Sequence, residues 1–426
     1  MAAVARPPVA LARGSALLPF IRANARWLAG GVLLTFASSF GQTFFIALSA
    51  GELRAAFDLT HGEFGRLYML ATLGSAATLP FLGRIVDWTS VRNTLLLTVP
   101  LLALACVLIA VAPNVAVLVL ALYGLRLFGQ GMMTHIAMTA MGKWYAAQRG
   151  RAVSLVAIGH QLGEMLMPLA FVGLLALGFG WRGVWVGAAL VLVLAALPTA
   201  ASLFAVERVP GRGANAAGTV ATGDLTRGQV MRDPVFWIAM TGVLAPAFIG
   251  TSMFFHQTYL IELRGWSPVA FAGGFTVLGV VTVTMTLVAG RLVDRFGAVS
   301  LLPLFLLPLG ASCLVLGVGE GAWAIPAFFA LMGLAYGTSQ TLFGALWPEI
   351  YGTAHLGAIR STVVAMMVFS TALGPAVTGT LIDRGVALPT QMIGYGGYCL
   401  AVSLVLVWVA RTVRGRRAVA APPAPA

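Results

Sequence analysis

Apolar residues fill long stretches of this chain, and glycine, proline and charged residues collect in the short gaps between them. A helix that crosses a bilayer needs about 20 predominantly apolar residues. Stretches of that kind lie at roughly 27–50, 64–82, 94–112, 115–139, 152–177, 183–205, 235–259, 268–289, 298–318, 323–347, 358–381 and 390–410. These runs predict an all-α membrane protein with twelve transmembrane helices, numbered here as spans 1 to 12. Ahead of span 1, the stretch 1–26 carries arginines and one short apolar segment, Ala16–Phe20, too brief for the core of a secretory signal. It is expected to remain as an N-terminal tail.

The polar gap after span 2 reads Gly83-Arg84-Ile85-Val86-Asp87-Trp88, and the gap after span 8 repeats it as Gly290-Arg291-Leu292-Val293-Asp294-Arg295, 207 positions on. Cys106 and Cys313 stand at the same interval. The chain therefore divides into an N-terminal six-helix half at 27–206 and a C-terminal half at 234–411, with a polar linker at 207–233 and a tail at 412–426. Tandem halves of this kind imply a pseudo-twofold axis along the membrane normal and a substrate path between the halves.

Composition agrees with the runs: 59% hydrophobic and 9% charged residues exclude an ordinary soluble globule. A net charge of +13 on a soluble protein would suggest a nucleic-acid partner, but here the basic residues stand in the gaps between apolar runs. In that position they set orientation, and nucleic acid is not the implied partner. With the N-terminus inside, twenty of the 26 basic residues fall on the inner side, five on the outer side, and Arg126 alone lies deep in a span. Both termini are thus expected in the cytoplasm, and the membrane is expected to be a bacterial plasma (inner) membrane. Cys106, Cys313 and Cys399 fall inside spans without metal-ligand spacing, so they are read as packing residues and no metal or cofactor is implied.

The duplicated loop carries a family resemblance. Gly83, followed four residues later by Asp87 and then by Arg92, is similar to the signature between spans 2 and 3 of the major facilitator superfamily, and Gly290, Asp294 and Arg295 resemble its second-half copy. The first copy has Ser90 where a glycine usually follows, and the second keeps Gly297 with no basic residue after it. The resemblance covers essentially the whole chain. It implies the major facilitator fold, a transporter and not an enzyme, and a cytoplasmic gating role for Gly83, Asp87, Arg92, Gly290, Asp294 and Arg295. On the residues alone, Gly83 and Asp87 share one helix face, where the missing side chain allows close approach and the carboxylate is able to accept from basic side chains or a helix N-terminus. The stretches 143–168, 232–237 and 374–383 resemble the branch holding monocarboxylate and oxalate/formate carriers, although span 8 lacks the charged pair usual there.

Ionisable residues inside a bilayer are costly, so each is a site candidate. Arg126 on span 4 and Glu164 on span 5 each lie 19 positions from the turn near 145, which puts them at one depth and within reach of pairing. His160 lies one turn before Glu164, and Gln130 lies within about 40° of Arg126 on an α-helix. His135, about 180° away, is expected to face another helix. In the superfamily, spans 1, 4, 7 and 10 line the cavity, and the resemblance adds Gln42, His256, Gln257, Tyr336 and Gln340 to the pathway. The alternative for each glutamine and tyrosine is a helix–helix hydrogen bond.

Neither HExxH nor DxxD occurs, and no phosphate loop is present. The expected function is a secondary active transporter, proton-coupled and working by alternating access, that carries a small organic solute, an organic anion first. An exporter of amphiphilic drug-like or metabolite molecules is the alternative, and a non-transporting membrane sensor a remote one. The expected partners are a small-molecule substrate, the lipid bilayer and protons, with the chain acting as a monomer.

Overall fold

A computed structural model describes residues 17–145, 148–208, 225–352 and 355–420. The regular elements among them are helices, and the chain forms two compact units, Met1–Ala216 and Ala217–Ala426.

In the first unit, span 1 begins as the helix Leu17–Ala37. The segment 17–26, expected as tail, is therefore packed helix: Phe20 is buried, with its ring centroid 5.6 Å from that of Tyr145. Span 1 then tightens through Ser38–Gly41, becomes extended at Gln42 (φ −83°, ψ 151°), and bends by 44° into its second part, Thr43–Phe57. Span 2, His61–Leu82, starts at a capping box in which Thr60 and Glu63 each accept the other's backbone N–H. Ser90 caps span 3, Val91–Val111, and Asn114 caps the first part of span 4, Val115–Gly124. Span 4 continues through a π-helical stretch, Leu125–Met133, into Thr134–Trp144. Spans 5 and 6 are Arg149–Ala176 and Trp181–Leu203.

The second unit opens with a short helix, Arg227–Val230. Spans 7 and 8 follow as Pro234–Phe255, extended by Gln257–Arg264, and Pro268–Phe296. Span 9 is split into Ala298–Leu301 and Leu307–Val318, and spans 10 to 12 are Ala324–Tyr351, Leu356–Asp383 and Leu388–Ala420. The internal repeat is visible in the backbone. Ser49 (φ −107°, ψ 14°) and His256 (φ −101°, ψ 20°) stand 207 positions apart, and each precedes an eight-residue helix, Ala50–Phe57 or Gln257–Arg264.

Among the described residues, eight helices are long and apolar enough to cross a membrane, or nine when the bent parts of span 1 count as one. The other three predicted spans are helical too, with physical reasons for falling short. His61–Leu82 and Ala324–Tyr351 have 22 and 28 residues, enough at about 1.5 Å per residue to cross roughly 30 Å of hydrocarbon. Their apolarity is diluted by Glu63 and Arg66 in one and by Thr338, Ser339 and Gln340 in the other. In span 9, Pro303 and Pro308 flank a turn that leaves only the 12-residue helix Leu307–Val318.

Two close helix approaches organise the first unit. Spans 1 and 4 touch backbone to backbone at Gly41 and Gly129: a Cβ on Gly41 would stand 2.1 Å from the Leu125 carbonyl oxygen and 2.7 Å from the Gly129 Cα. Span 5 meets span 1 through Gly159 and Gly163, a small-xxx-small pair whose missing side chains make room for the Val32 carbonyl and the Ser39 hydroxyl. The three cysteines are buried and unbridged, as packing residues would be.

Candidate functional site

The break at Gln42 creates the site in the first unit. The amides of Phe45 and Ile46 bond to the Gln42 carbonyl, so the Gly41 carbonyl is left without that helical partner. Arg126 supplies one. Its Nη1 donates to the Gly41 oxygen and to the Thr43 hydroxyl, each at 3.3 Å, and its guanidinium carbon lies 5.4 Å from the centroid of the Tyr68 ring. Thr43 and Tyr68 share a hydrogen bond of 2.7 Å, which fixes both around the cation. Arg126 is only 1% exposed, and its Nε has no hydrogen-bond partner. The guanidinium is thus engaged on one edge and unsatisfied on another, inside the π-helical stretch, an irregularity that recurs at functional sites.

Glu164 is 7% exposed, and its carboxylate makes no hydrogen bond or ion pair with any described residue. Arg126 and Glu164 therefore do not pair in this structure, because Arg126 turns its bonded edge to the broken turn of span 1. His160 is half-buried one turn before Glu164, and the Oε1 of neighbouring Gln161 is buried without a partner. Gln42 and Gln130 are half-buried beside the Gly41–Gly129 crossing.

At the loop after span 2, His135 Nε2 lies 3.2 Å from the Gly83 carbonyl, and Lys143 donates to the Val86 carbonyl at 3.3 Å. His135 thus faces another helix. A Cβ on Gly83 would come within 3.0 Å of His135 Nε2, so the glycine does permit a close approach. Arg92 is exposed, and the side chain of Asp87 lies outside the described residues.

In the second unit, His256 is buried with Nε2 3.0 Å from the Pro375 carbonyl. Gln257 is fully buried beside it. Tyr336 is half-buried, its hydroxyl against Gly250 of span 7, whereas Gln340 is exposed. Gly290 has open space where a side chain would go, and Asp294 and Arg295 are exposed, with Arg295 over the Phe296 ring. Among the described residues, no side chain stands at Gly290 as His135 stands at Gly83.

Several polar residues passed over in the sequence organise these regions. Thr43 and Tyr68 complete the cradle of Arg126. Glu349, at the end of span 10, accepts from the backbone N–H of Ala298 (2.6 Å) and Val299 (3.4 Å), just past Gly297, whose φ of +78° favours glycine. Asp233 caps span 7 by accepting from Val235 N–H (3.1 Å), accepts from the Tyr351 hydroxyl (3.1 Å), and is forked by Arg416 at 2.7 and 3.0 Å. Burial pushes the Asp233 carboxyl up, but the Arg416 fork, the Val235 N–H and the Tyr351 hydroxyl outweigh it and hold the group below the usual carboxylate range.

The first unit repeats this arrangement in altered chemistry. Arg208 donates to Asn24, and its guanidinium carbon lies 4.1 Å from the Tyr145 ring centroid. Asn24, Tyr145 and Arg208 precede Asp233, Tyr351 and Arg416 by 209, 206 and 208 positions. The Asp-Pro step at Asp233–Pro234, a cap followed by proline at the first helical position, was the legible signal for this clamp.

Comparison with known proteins follows the same lines. The chain is 24% identical to the oxalate:formate antiporter of Oxalobacter formigenes over 67% of this chain and 69% of that one. It is 26% identical to the 3-(3-hydroxy-phenyl)propionate transporter of Escherichia coli (strain K12) over 79% of this chain and 82% of that one. Among solved structures, a bacterial homolog of the human lysosomal transporter Spinster, inward-facing and unoccupied, superposes with a TM-score of 0.64 at 17% identity, covering 92% of this chain and 96% of its own. The family profile of the Major Facilitator Superfamily matches residues 31–375. With that match over most of its length, transporter relatives and membrane-crossing helices, this chain belongs to the Major Facilitator Superfamily and is an integral-membrane secondary transporter, not an enzyme.

Proposed function

We propose that the chain carries a small organic anion by alternating access, coupled to protons, as a monomer in a bacterial inner membrane with both termini in the cytoplasm. The observation that carries this reading is Arg126, buried in a membrane span with one edge bonded to span 1 and Nε left unsatisfied. A carboxylate is the group whose two oxygens match such a donor set. The relatives named for oxalate, formate and hydroxyphenylpropionate, all carboxylates, support the same class. Glu164 takes the proton: an ionised carboxylate without a counter-charge is costly inside a membrane protein, so proton exchange there is tied to what charge enters the site. Gln42, Gln130 and His160 line this part of the pathway, and His256, Gln257, Tyr336 and Gln340 the part in the second half. Asp87, Asp294 and the basic residues near them act as the cytoplasmic gate.

Uptake and counterflow in vesicles test the assignment. Arg126→Gln is expected to weaken binding of an organic anion about tenfold or more, the worth of a charge-assisted hydrogen bond. Glu164→Gln is expected to keep binding and make counterflow insensitive to pH. The double variant Arg126→Gln with Glu164→Gln leaves no unpaired buried charge. If that protein folds and still shows full pH-driven uptake, the proton site lies elsewhere. If neutral amphiphiles compete and organic anions do not, the substrate is an amphiphile.

A further inference from the structure

Two neighbouring cavities, about 440 and 500 Å³, lie on the second unit and share Leu244 of span 7 and Met366 of span 11. The first is walled by spans 7, 11 and 12, with Trp237, Phe248, Tyr395 and Tyr398 among its residues. The polar atoms of that wall are turned to the protein: the Tyr398 hydroxyl donates to the Thr241 carbonyl (3.0 Å) and the Ser370 hydroxyl to the Leu244 carbonyl (3.3 Å). What remains is apolar surface. Trp237 and Tyr398, in the first cavity, and Phe369, in the second, are 43, 44 and 54% exposed, so both cavities open outward from the helices. On membrane-spanning helices that surrounding is hydrocarbon.

The second cavity ends at Arg227. The short helix Arg227–Val230 that carries it is held by a capping box between Thr226 and Gln229 and by the Leu225 N–H bonded to the Tyr351 carbonyl at 3.1 Å. The guanidinium of Arg227 makes no hydrogen bond or ion pair with any described residue. An apolar trough thus leads to a cation on a backbone-anchored turn, unpaired among the described residues, at the end where spans 7 and 11 meet the polar gaps.

We propose that this groove seats one anionic phospholipid, its acyl chain in the cavity between spans 7, 11 and 12 and its phosphate on Arg227. The apolar wall asks only for a chain without polar groups, and a basic side chain at the membrane surface selects negative headgroups. The bound lipid would fill the gap between spans 11 and 12, which touch little directly while span 11 packs on span 7.

Quenching by brominated lipids tests the proposal, because Trp237 lines the groove. The full-length protein is placed in phosphatidylcholine vesicles containing brominated phosphatidylglycerol or brominated phosphatidylcholine, and the Trp237 signal is taken as wild type minus Trp237→Phe. The expected result is a preference for phosphatidylglycerol of about fivefold, one arginine's contribution at a membrane surface. In Arg227→Gln, an exposed replacement, that preference should fall to about one, while quenching itself persists. No quenching of Trp237, equal quenching by the two lipids in wild type, or an undiminished preference in Arg227→Gln would each overturn the proposal.

Discussion

Asp233→Ala removes three interactions from the start of span 7, and each has a known scale. Loss of the cap on Val235 costs about 1 kcal/mol. The fork to Arg416 is short, at 2.7 and 3.0 Å, but the arginine side chain is 49% exposed, so solvent screening limits its share to about 1 kcal/mol at most. Tyr351 is 2% exposed, and leaving its hydroxyl without an acceptor costs about 1–3 kcal/mol. The loss expected for alanine is therefore about 3 kcal/mol. Asparagine keeps the cap and a neutral acceptor for Tyr351, so Asp233→Asn is expected to cost about 1 kcal/mol.

The dependence on pH has a definite sign. Because the folded structure holds the Asp233 carboxyl below its usual range, its contribution is fully present above the unfolded pKa of about 4. That contribution is lost as pH falls through the lower folded value. Unfolding of the purified protein in detergent, followed at pH 7 and at pH 3, measures this directly. The gap between wild type and Asp233→Asn should close toward pH 3. If Asp233→Ala is as stable as wild type at pH 7, or if the gap widens in acid, the clamp does not hold span 7 as the geometry indicates.

Three further outcomes follow from the packing. Gly41→Ala places a carbon against three backbone atoms of span 4, so it should separate spans 1 and 4 and lower the thermal midpoint far more than Gly290→Ala, whose new methyl meets open space. Gly83→Ala should displace His135 and be destabilising, whereas Gly290→Ala should be neutral or gain about 0.5–1 kcal/mol from better helix propensity; equal effects at the two positions would show that the two copies of the loop are packed alike. Asp87→Asn, and more weakly Asp294→Asn, should slow transport in vesicles at near-normal abundance, and wild-type rates in both would remove the gating role.

The sequence by itself marked the helical segments and the duplication, because a bilayer offers no hydrogen bonds and most crossing segments show as long apolar runs. But it read 17–26 as tail where the structure has helix, and span 9 as one run where the structure splits it. It also marked Arg126 and Glu164, since charge within such a run is rare enough to stand out. Which groups those side chains meet was decided by tertiary structure. Equal helical rise from the turn near 145 put Arg126 and Glu164 at one depth and free to pair, but the extended residue at Gln42 bares the Gly41 carbonyl, and Arg126, in the π-helical stretch of span 4, bonds to it instead. Neither irregularity has a signature in apolar periodicity, which reads one helix at a time, whereas the Gly41–Gly129 approach joins helices 88 positions apart. The Asp-Pro step marked Asp233 as a cap, but its partners Tyr351 and Arg416 were hidden: they lie 118 and 183 positions away, and only the folding of the second unit brings them within bonding distance of the carboxylate.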